Sequence, residues 1–206
     1  MKIPLQYQRT EYDCGPTALL NAISFLFARR EIPPDILKYV MMYSLDTFNK
    51  HGEACKEGTS KMAMMFLSNW LNQYAKIGKL SVSSEFLCEE QVQIGEHSRI
   101  VSALQQGGVV VLRVWYGCGH YVTLTGISRN AITLFDPYFR QQPFRKDGIV
   151  IIKNKPCTAN RKVDLNLFNR QGKHPYSLEE PKKREAVILF NTITRKTPED
   201  TIEYFL

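Results

Sequence analysis

The sequence predicts an α+β protein, with helices in the first half of the chain and an antiparallel sheet in the second half. Apolar residues recur at helical spacing up to about residue 106, whereas β-branched runs and strict alternation dominate from residue 109 onward. Two of the later runs flank a short polar turn at 128–130, which is typical of a β-hairpin. Helices first and an antiparallel sheet second is therefore the predicted order of elements.

The first helix is predicted over 15–29, where Pro16 suits the first helical turn because its missing N–H costs nothing there. The apolar residues of this segment form one stripe at helical spacing, namely Leu19, Ala22, Ile23, Leu26 and Phe27. Further helices are predicted near 34–43, after Thr59 or Ser60, and over about 97–106. The third helix carries three large apolar residues stacked one turn apart, namely Met62, Phe66 and Trp70.

The strands of the second half are predicted from β-branched or alternating runs at 109–115, 120–127, 131–136, 148–152 and 186–193. The first run is typical of a buried strand, and the next two form the predicted hairpin. The stretch from about 153 to 185 is polar and rich in Lys, Asn and Pro. It is predicted to be an irregular excursion between strands.

Composition excludes several classes of protein. With 44% hydrophobic and 23% charged residues over 206 positions, the chain has the composition of a globular protein rather than of a disordered or fibrous one. No stretch approaches the roughly 20 uninterrupted apolar residues of a membrane span. The N-terminus also lacks the apolar run of a secretory signal. We therefore expect a cytoplasmic protein.

The net charge of +7 is unevenly distributed along the chain. The segment 145–196 contains 13 basic and 5 acidic residues, whereas the two signs nearly balance over 1–144. A nucleic-acid-binding patch would have this charge, but no recognition helix, RNA-binding signature or interleaved aromatic residues accompany it. We favour a solvated, partly loop-like extension and expect no nucleic-acid partner.

The five cysteines are odd in number and widely spaced, at Cys14, Cys55, Cys88, Cys118 and Cys157. This spacing excludes the C-x-x-C pattern of zinc ribbons and redox motifs. It also argues against a disulfide scaffold and fits a reducing compartment. We expect one cysteine to be kept for its chemistry and the others to be small buried hydrophobic residues.

Cys14 lies at or just before the start of the first helix. The unpaired N–H groups and the positive dipole end of a helix N-terminus favour a thiolate over a thiol. The neighbouring Gly15 allows another part of the chain to approach the backbone closely. The same placement is also typical of a cysteine that merely packs under the helix start, so the position by itself leaves both interpretations open.

His120 and Asp136 are predicted to meet at one end of the hairpin. Each lies eight residues from a tip near Ser128, so both return to the same end of the sheet. A carboxylate there fixes the orientation of the imidazole and leaves its other nitrogen free to take a proton from a thiol. Together with Cys14 this is the logic of cysteine acyl-transfer catalysis. The alternatives are a surface histidine and an Asp-Pro that only turns the chain.

A metal site is a weaker alternative at the same place. Cys118 and His120 supply two ligand types at close spacing, but two further ligands would have to come from distant residues. The sequence also contains no glycine-rich phosphate loop. We therefore expect neither a metal nor another cofactor.

Four segments resemble those of the C39 peptidases, over about Gln8 to Pro137. QRTEYDCGPTALL at 8–20 resembles the cysteine box of that family, in which a Gln precedes the nucleophile by six residues. GHYVTLTGI at 119–127 resembles the histidine box, and FDPYF at 135–139 resembles the Asp-Pro box. ALQQGGVVVLRV at 103–114 resembles the helix–Gly–strand segment before the histidine.

This resemblance implies a papain-like cysteine peptidase fold, in which a helical half that carries the cysteine packs on the sheet that carries His and Asp. It implies Cys14 as nucleophile, His120 as general base and then acid, and Asp136 as the orienting residue. The Gln8 amide and the Cys14 backbone N–H would stabilise the oxyanion. Substrate contacts are expected from residues beside these four, namely Asp13, Gly15, Gly119 and Tyr121.

The predicted organisation is a C39-like peptidase domain over 1–152 and a basic extension over 153–206, whose strand at 186–193 returns to the same sheet. The predicted activity is a cysteine peptidase that cleaves a peptide or isopeptide bond in a peptide or protein substrate. Well-known C39 domains head ABC exporters, so we consider a separate membrane transporter as a partner. A thiol acyl- or peptidyltransferase and a non-catalytic peptide-binding module are the alternatives.

Overall fold

A seven-stranded antiparallel sheet is the centre of the computed structural model, which describes residues 1–145 and 147–196. The strands are β1 (Val82–Cys88), β2 (Val109–Trp115), β3 (Gly119–Ser128), β4 (Ala131–Phe135), β5 (Ile149–Ile151), β6 (Arg161–Asp164) and β7 (Glu185–Asn191). Their order across the sheet is β1-β7-β2-β3-β4-β6-β5. The last strand in the chain therefore lies between β1 and β2.

Helices cover both faces of this sheet. They are α1 (Cys14–Leu26), α2 (Pro34–Ser44), α3 (Lys61–Lys76), α4 (Arg99–Gln105) and the single turn α5 (Leu165–Phe168). The first three pack on one face and share a hydrophobic core with it. The other two contribute to a second core on the opposite face. The predicted α+β class is confirmed.

The central strands are apolar along their length because both of their faces are covered. Val109 and Val111 of β2 join the core under α1, whereas Val110 and Leu112 join the core under α4. All seven residues of β7 are buried in the same way. A continuous apolar run, rather than strict alternation, is the pattern that such a position requires.

The α1 stripe fixes the position of Cys14. Each of the five residues predicted for the stripe is at least 90% buried. The helix lies on β3, where the Thr123 hydroxyl donates a hydrogen bond of 2.8 Å to the Ala18 carbonyl. Because Cys14 is the first residue of α1, burial of this stripe holds its backbone at the end of the sheet where β3 begins.

Two strands were not predicted from the sequence, and polar residues interrupt the apolar signal of both. β1 reads VSSEFLC, and β6 reads RKVD within the stretch that was predicted to be irregular. That stretch also forms α5, so the prediction of an irregular excursion over 153–185 is wrong in part. The stacked residues of α3 lie mostly on its outer side, since Met62 and Phe66 are exposed.

The predicted burial of the other cysteines is wrong for two of them. Cys55 and Cys118 are exposed, and Cys88 and Cys157 are partly buried. Both exposed cysteines lie in turns at the surface of the protein, where no other element covers them. In the ranges that the structure describes, none of the helices has the length and apolar character needed to cross a membrane.

The domain division at residue 152 stays a prediction. Because β7 lies after this boundary, the division can be tested by asking whether the fold depends on the burial of β7. Replacing Ile188 of β7, which is 2% exposed, with Ala should lower the free energy of unfolding by about 2–5 kcal/mol, because it leaves a cavity in the core. Urea unfolding at neutral pH measures this. The control is Val150→Ala on the edge strand β5, where the side chain is 57% exposed and the expected loss is under about 1 kcal/mol. An equally small loss at Ile188 would show that β7 is dispensable for the core.

Candidate active site

The loop before Cys14 is organised by the carboxylate of Asp13. Its oxygens accept hydrogen bonds from the Arg9 N–H at 3.0 Å, the Thr10 N–H at 2.7 Å and the Thr10 hydroxyl at 2.5 Å. Burial raises the pKa of Asp13, but these hydrogen bonds outweigh it and leave the pKa below its usual value. Both oxygens are engaged by the loop itself, which does not favour the predicted substrate contact and makes Asp13 a residue that shapes the turn into α1.

Other side chains crowd both glycines predicted to touch substrate, although at Gly119 the neighbour is the flexible end of Arg113 and can move. A Cβ on Gly15 would lie 2.3 Å from the Thr59 hydroxyl oxygen, and one on Gly119 would lie 2.0 Å from a guanidinium nitrogen of Arg113. Real Cβ atoms do not approach other atoms this closely. Side chains of the protein therefore occupy the space beside Cys14 and before His120, which explains why neither position has a side chain of its own.

His120 and Asp136 meet as the hairpin predicts. The His120 Nε2 atom lies 2.8 Å from Asp136 Oδ1, and both side chains are at least 94% buried. The β3–β4 register shifts by a bulge between Leu124 and Gly126, so Asp136 follows the pairing of Phe135 with Thr123 and lies diagonal to His120. Diagonal neighbours on one face are still within reach of long side chains.

The surroundings of the His120 imidazole favour its protonated form. Burial alone would lower its pKa, but the Asp136 carboxylate and, to a smaller extent, the nearby Cys14 side chain raise it to about 10. Since Nε2 faces Asp136, Nδ1 is the nitrogen available to the Cys14 sulfur. The structure therefore brings Cys14, His120 and Asp136 to one place, with His120 hydrogen-bonded to Asp136 and close enough to Cys14 to interact with it electrostatically.

Sequence reasoning missed the residues that hold Asp136. The Tyr176 hydroxyl donates to Asp136 Oδ2 at 2.7 Å, and the Tyr138 N–H donates to Oδ1 at 2.8 Å. Asn160 holds the Asp136 backbone, because its amide accepts from the N–H and donates to the carbonyl, both at 2.8 Å. Burial raises the pKa of Asp136, but His120, the Tyr176 hydroxyl and the Tyr138 N–H together lower it below its usual value.

Tyr176 occupies its position at a conformational cost. Its φ of 67° lies in the left-handed region, which is uncommon for a residue other than glycine. Its backbone N–H donates to the Trp115 carbonyl at 2.8 Å, and its side chain is fully buried. Burial, and then the Asp136 charge, raise the pKa of Tyr176 well above its usual value, so the hydroxyl remains a donor. Backbone strain that is retained in this way is typical of functional sites.

Gln8 lies beside the Asp-Pro segment. Its backbone N–H donates to the Pro137 carbonyl at 2.9 Å, and one side-chain N–H donates to the Thr10 carbonyl at 2.8 Å. Gln6, two residues before Gln8, is held by the side-chain amide of Asn21 in α1. That amide accepts from the Gln6 N–H at 2.7 Å and donates to the Gln6 carbonyl at 2.9 Å. The Gln8 amide keeps a second N–H, because a primary amide has two donors.

Tyr121 lies beneath Cys14 rather than in an open cleft. It is 4% exposed, shares the α1 core with Cys14, and donates its hydroxyl to Glu185 at 2.7 Å. Arg113 extends this contact with an ion pair to Glu185 at 3.5 Å. This burial gives Tyr121 a packing role in the core that contains Cys14, and the substrate contact expected of it stays a prediction.

Among the residues that the structure describes, no group of three or more His, Cys, Asp or Glu side chains is arranged to hold a metal ion. Cys118 is exposed in the turn before His120. The imidazole nitrogen that could join it in a metal site faces the Cys14 side chain, and the other faces Asp136. The two-ligand alternative at Cys118 and His120 thus gains no further ligand.

The buried pair predicts how stability depends on pH. The folded-state pKa of His120 is raised from 6.5 to about 10, so its contribution is complete below pH 6.5 and is lost as the pH rises to about 10. The pKa of Asp136 is lowered from 3.8, so its contribution is complete above pH 3.8 and is lost in more acidic solution. The stability that His120→Ala removes should therefore be largest between pH 3.8 and pH 6.5. Urea unfolding of both proteins across this range measures it, and a difference that grows toward pH 10 would contradict the assignment.

Tyr176→Phe should raise the pKa of Asp136, because a hydrogen bond to the charged carboxylate is lost. The free energy of unfolding should fall by about 1.5–3 kcal/mol at neutral pH, and acid unfolding should begin at higher pH. NMR titration of the Asp136 carboxyl carbon and urea unfolding measure the two effects. Tyr138→Phe, whose ring is 46% exposed, is the matched control and should change neither. Equal behaviour of the two variants would remove Tyr176 from the site.

Three solved structures are similar to this chain. A double glycine motif protease from an AMS/PCAT transporter, solved with the leader peptide, is 12% identical, with a TM-score of 0.45 over 92% of this chain and 90% of that one. The peptidase domain of Streptococcus mutans ComA is 13% identical, with a TM-score of 0.41 over 91% and 98%. The peptidase domain of Streptococcus ComA, a bifunctional ABC transporter of a quorum-sensing pathway, is 15% identical, with a TM-score of 0.45 over 91% and 97%.

The family is established by sequence rather than by these structural similarities. None of the curated proteins matches the chain. Residues 1–150 match the model of the Peptidase_C39 like family, which is more than half of the 206 residues. The resemblance inferred from the cysteine, histidine and Asp-Pro boxes is thereby confirmed. The chain belongs to the Peptidase_C39 like family and is a cysteine peptidase.

Proposed function

We propose that the chain hydrolyses a peptide or isopeptide bond through an acyl-enzyme, with Cys14 as nucleophile, His120 as general base and then acid, and Asp136 as the orienting residue. The observation that carries this proposal is the placement of the His120 ring, which hydrogen-bonds Asp136 and is close enough to Cys14 for the two side chains to interact electrostatically. A ring in this position can take the thiol proton and later deliver it to a leaving amine.

The raised pKa of His120 supports an imidazolium before substrate arrives, and a neighbouring cation of this kind favours a nucleophilic sulfur. The sulfur then attacks the carbonyl carbon, and the C–N bond breaks as the amine leaves with the proton of His120. A water molecule next gives its proton to His120 and attacks the thioester. The C–S bond breaks, the acid product leaves, and the thiolate is restored.

Gln8 is proposed as an oxyanion donor. One of its two side-chain N–H groups is engaged by the Thr10 carbonyl, which fixes the amide plane and leaves the other N–H for the developing charge. The Cys14 backbone N–H belongs to the first turn of α1, where N–H groups have no partner within the helix. Two donors of this kind would stabilise a tetrahedral oxyanion.

The family favours a peptide or protein substrate. A cytoplasmic location and a separate membrane transporter as partner are part of this proposal and rest on the sequence. The acyl-enzyme can be resolved by water or by an amine, so the hydrolase and the transferase share every residue named above. Product analysis in the presence of competing amines separates them.

The thiolate–imidazolium pair predicts the reactivity of Cys14. In the wild type, alkylation of Cys14 by iodoacetamide should remain fast well below the pH of about 8.5 at which a free cysteine is half ionised. His120→Ala should slow this reaction on the order of 10²-fold at about pH 6, and Asp136→Asn should slow it less. Mass spectrometry of the Cys14 peptide measures the rate, with the exposed Cys55 as reference in the same sample.

Gln8→Ala separates activation from turnover. It should leave Cys14 alkylation unchanged but slow the cleavage of a peptide library by about 10²–10³-fold. If Cys14 reacts no faster than Cys55 in all the proteins, the nucleophile assignment is wrong. If Cys14 is reactive but Cys14→Ala cleaves the library equally well, the cleavage belongs to another site.

A further inference from the structure

A cavity of about 430 Å³ opens beside the His120 ring. Its wall includes Tyr116, whose ring centroid lies 5.7 Å from that of His120. Arg140, Phe144 and Arg145 also line this cavity. We call this cavity the arginine pocket. The Tyr116 ring separates it from the His120 imidazole, which places the cavity next to the proposed catalytic residues.

Arg140 is held in place without a negative partner. Its guanidinium lies 4.5 Å from the centroid of the Phe144 ring, and its Nε donates to the Gln142 carbonyl at 2.8 Å. The terminal nitrogens make only long hydrogen bonds of 3.4 Å, to the Tyr116 hydroxyl and the Pro143 carbonyl. Among the described residues, no carboxylate forms an ion pair with it. A strong acceptor could therefore replace weak neutral bonds at little cost.

Arg161 adds a second charge behind the same aromatic ring. Its guanidinium lies 5.9 Å from the Phe144 centroid, and the residue is only 1% exposed. It donates to the carbonyls of Asn160 and Tyr138, at 2.9 and 3.4 Å, while its Nε has no hydrogen-bond partner. A buried cation without a carboxylate is expensive. Its field therefore reinforces that of Arg140 in the pocket.

The nearest buried acid does not cancel these charges. Asp136 is already compensated by His120 at 2.8 Å and by the Tyr176 hydroxyl at 2.7 Å. Burial raises the pKa of Tyr116, so its hydroxyl adds no negative charge. The pocket is thus positively charged on an aromatic wall, and part of the basic excess of segment 145–196 is directed toward the active site.

We propose that the arginine pocket binds a carboxylate of the substrate, so that the peptidase prefers peptides with an acidic side chain or a free α-carboxylate near the scissile bond. This inference rests on the proposed function, since it assigns specificity to the same site. A planar carboxylate accepts two parallel hydrogen bonds from the terminal nitrogens of one guanidinium. The Phe144 and Tyr116 rings then contact the methylene groups that carry it.

Affinity alkylation of Cys14 tests the proposal. The probes are iodoacetyl-Asp methylamide and its Asn counterpart, each with no, one or two glycines as spacer, and iodoacetyl-Ala as free acid and as methylamide. The first pair reports a side-chain carboxylate, and the second reports an α-carboxylate. In the wild type, at least one acidic probe should react about tenfold faster than its amide partner.

Arg140→Gln should reduce this ratio to near one, and Arg140→Lys should keep part of it. The matched control is Arg195→Gln, because Arg195 also stacks on a phenylalanine, at 4.0 Å from Phe190, and bonds a neutral amide. It should leave the ratio unchanged. A wild-type ratio near one for every pair, or a preference that persists in Arg140→Gln, would overturn the assignment.

A second readout does not depend on the thiol. In Cys14→Ala protein, titration with acetyl-Asp methylamide should shift the ¹⁵N signal of the Arg140 Nε–H, whereas acetyl-Asn methylamide should not. The signal is assigned by its loss in Arg140→Gln. A shift together with an inert Cys14 would keep the pocket and reject the proposed function. No shift and no alkylation preference would reject the pocket.

Discussion

The carboxylate of Asp136 is removed from water, so protein groups alone must balance its charge. An unpaired buried carboxylate would destabilise the fold by several kcal/mol, and here His120, a tyrosine hydroxyl and a backbone N–H all point at it. Each of these donors comes from a different part of the chain. The elements around the site bring these three donors to one place.

Two of the residues that hold Asp136 come from beyond the part of the chain that resembles the family. The family match ends at residue 150, yet Asn160 and Tyr176 hold Asp136 from the segment after it. Asn21 plays a similar part on the other side, where it holds Gln6 and hence the segment that carries Gln8. Two asparagines therefore fix the backbone on either side of Cys14, each by pairing with both the N–H and the carbonyl of one residue.

Periodicity was enough to predict most of the fold. The α1 stripe and the β3–β4 hairpin have strong local patterns, and together they bring Cys14, His120 and Asp136 to the same end of the sheet. β1 and β6 escaped prediction because edge or outer strands carry Ser, Glu, Arg and Lys, which weaken the apolar signal.

The supporting residues could not be predicted for a different reason. Tyr176 lies in a polar stretch with no period, and its left-handed φ has no sequence signature in a tyrosine. Its role depends on a contact 40 residues away along the chain. The same limit applies to Tyr121, which follows His120 in sequence but, by strand alternation, packs in the core under α1 and bonds Glu185, 64 residues later in the chain.

The position of β7 has a consequence for how the active site comes into being. This strand is the last of the seven in sequence, yet it lies between β1 and β2. The inner sheet cannot close until residues 185–191 are available, which gives the fold contacts of large sequence separation and predicts slow, late folding. On the ribosome, synthesis proceeds from the N-terminus, so Cys14 is made long before the sheet that positions its histidine is complete. A nascent chain therefore carries Cys14, the proposed nucleophile, before the residues proposed to activate it are in place, and we expect peptidase activity only once the sheet is complete.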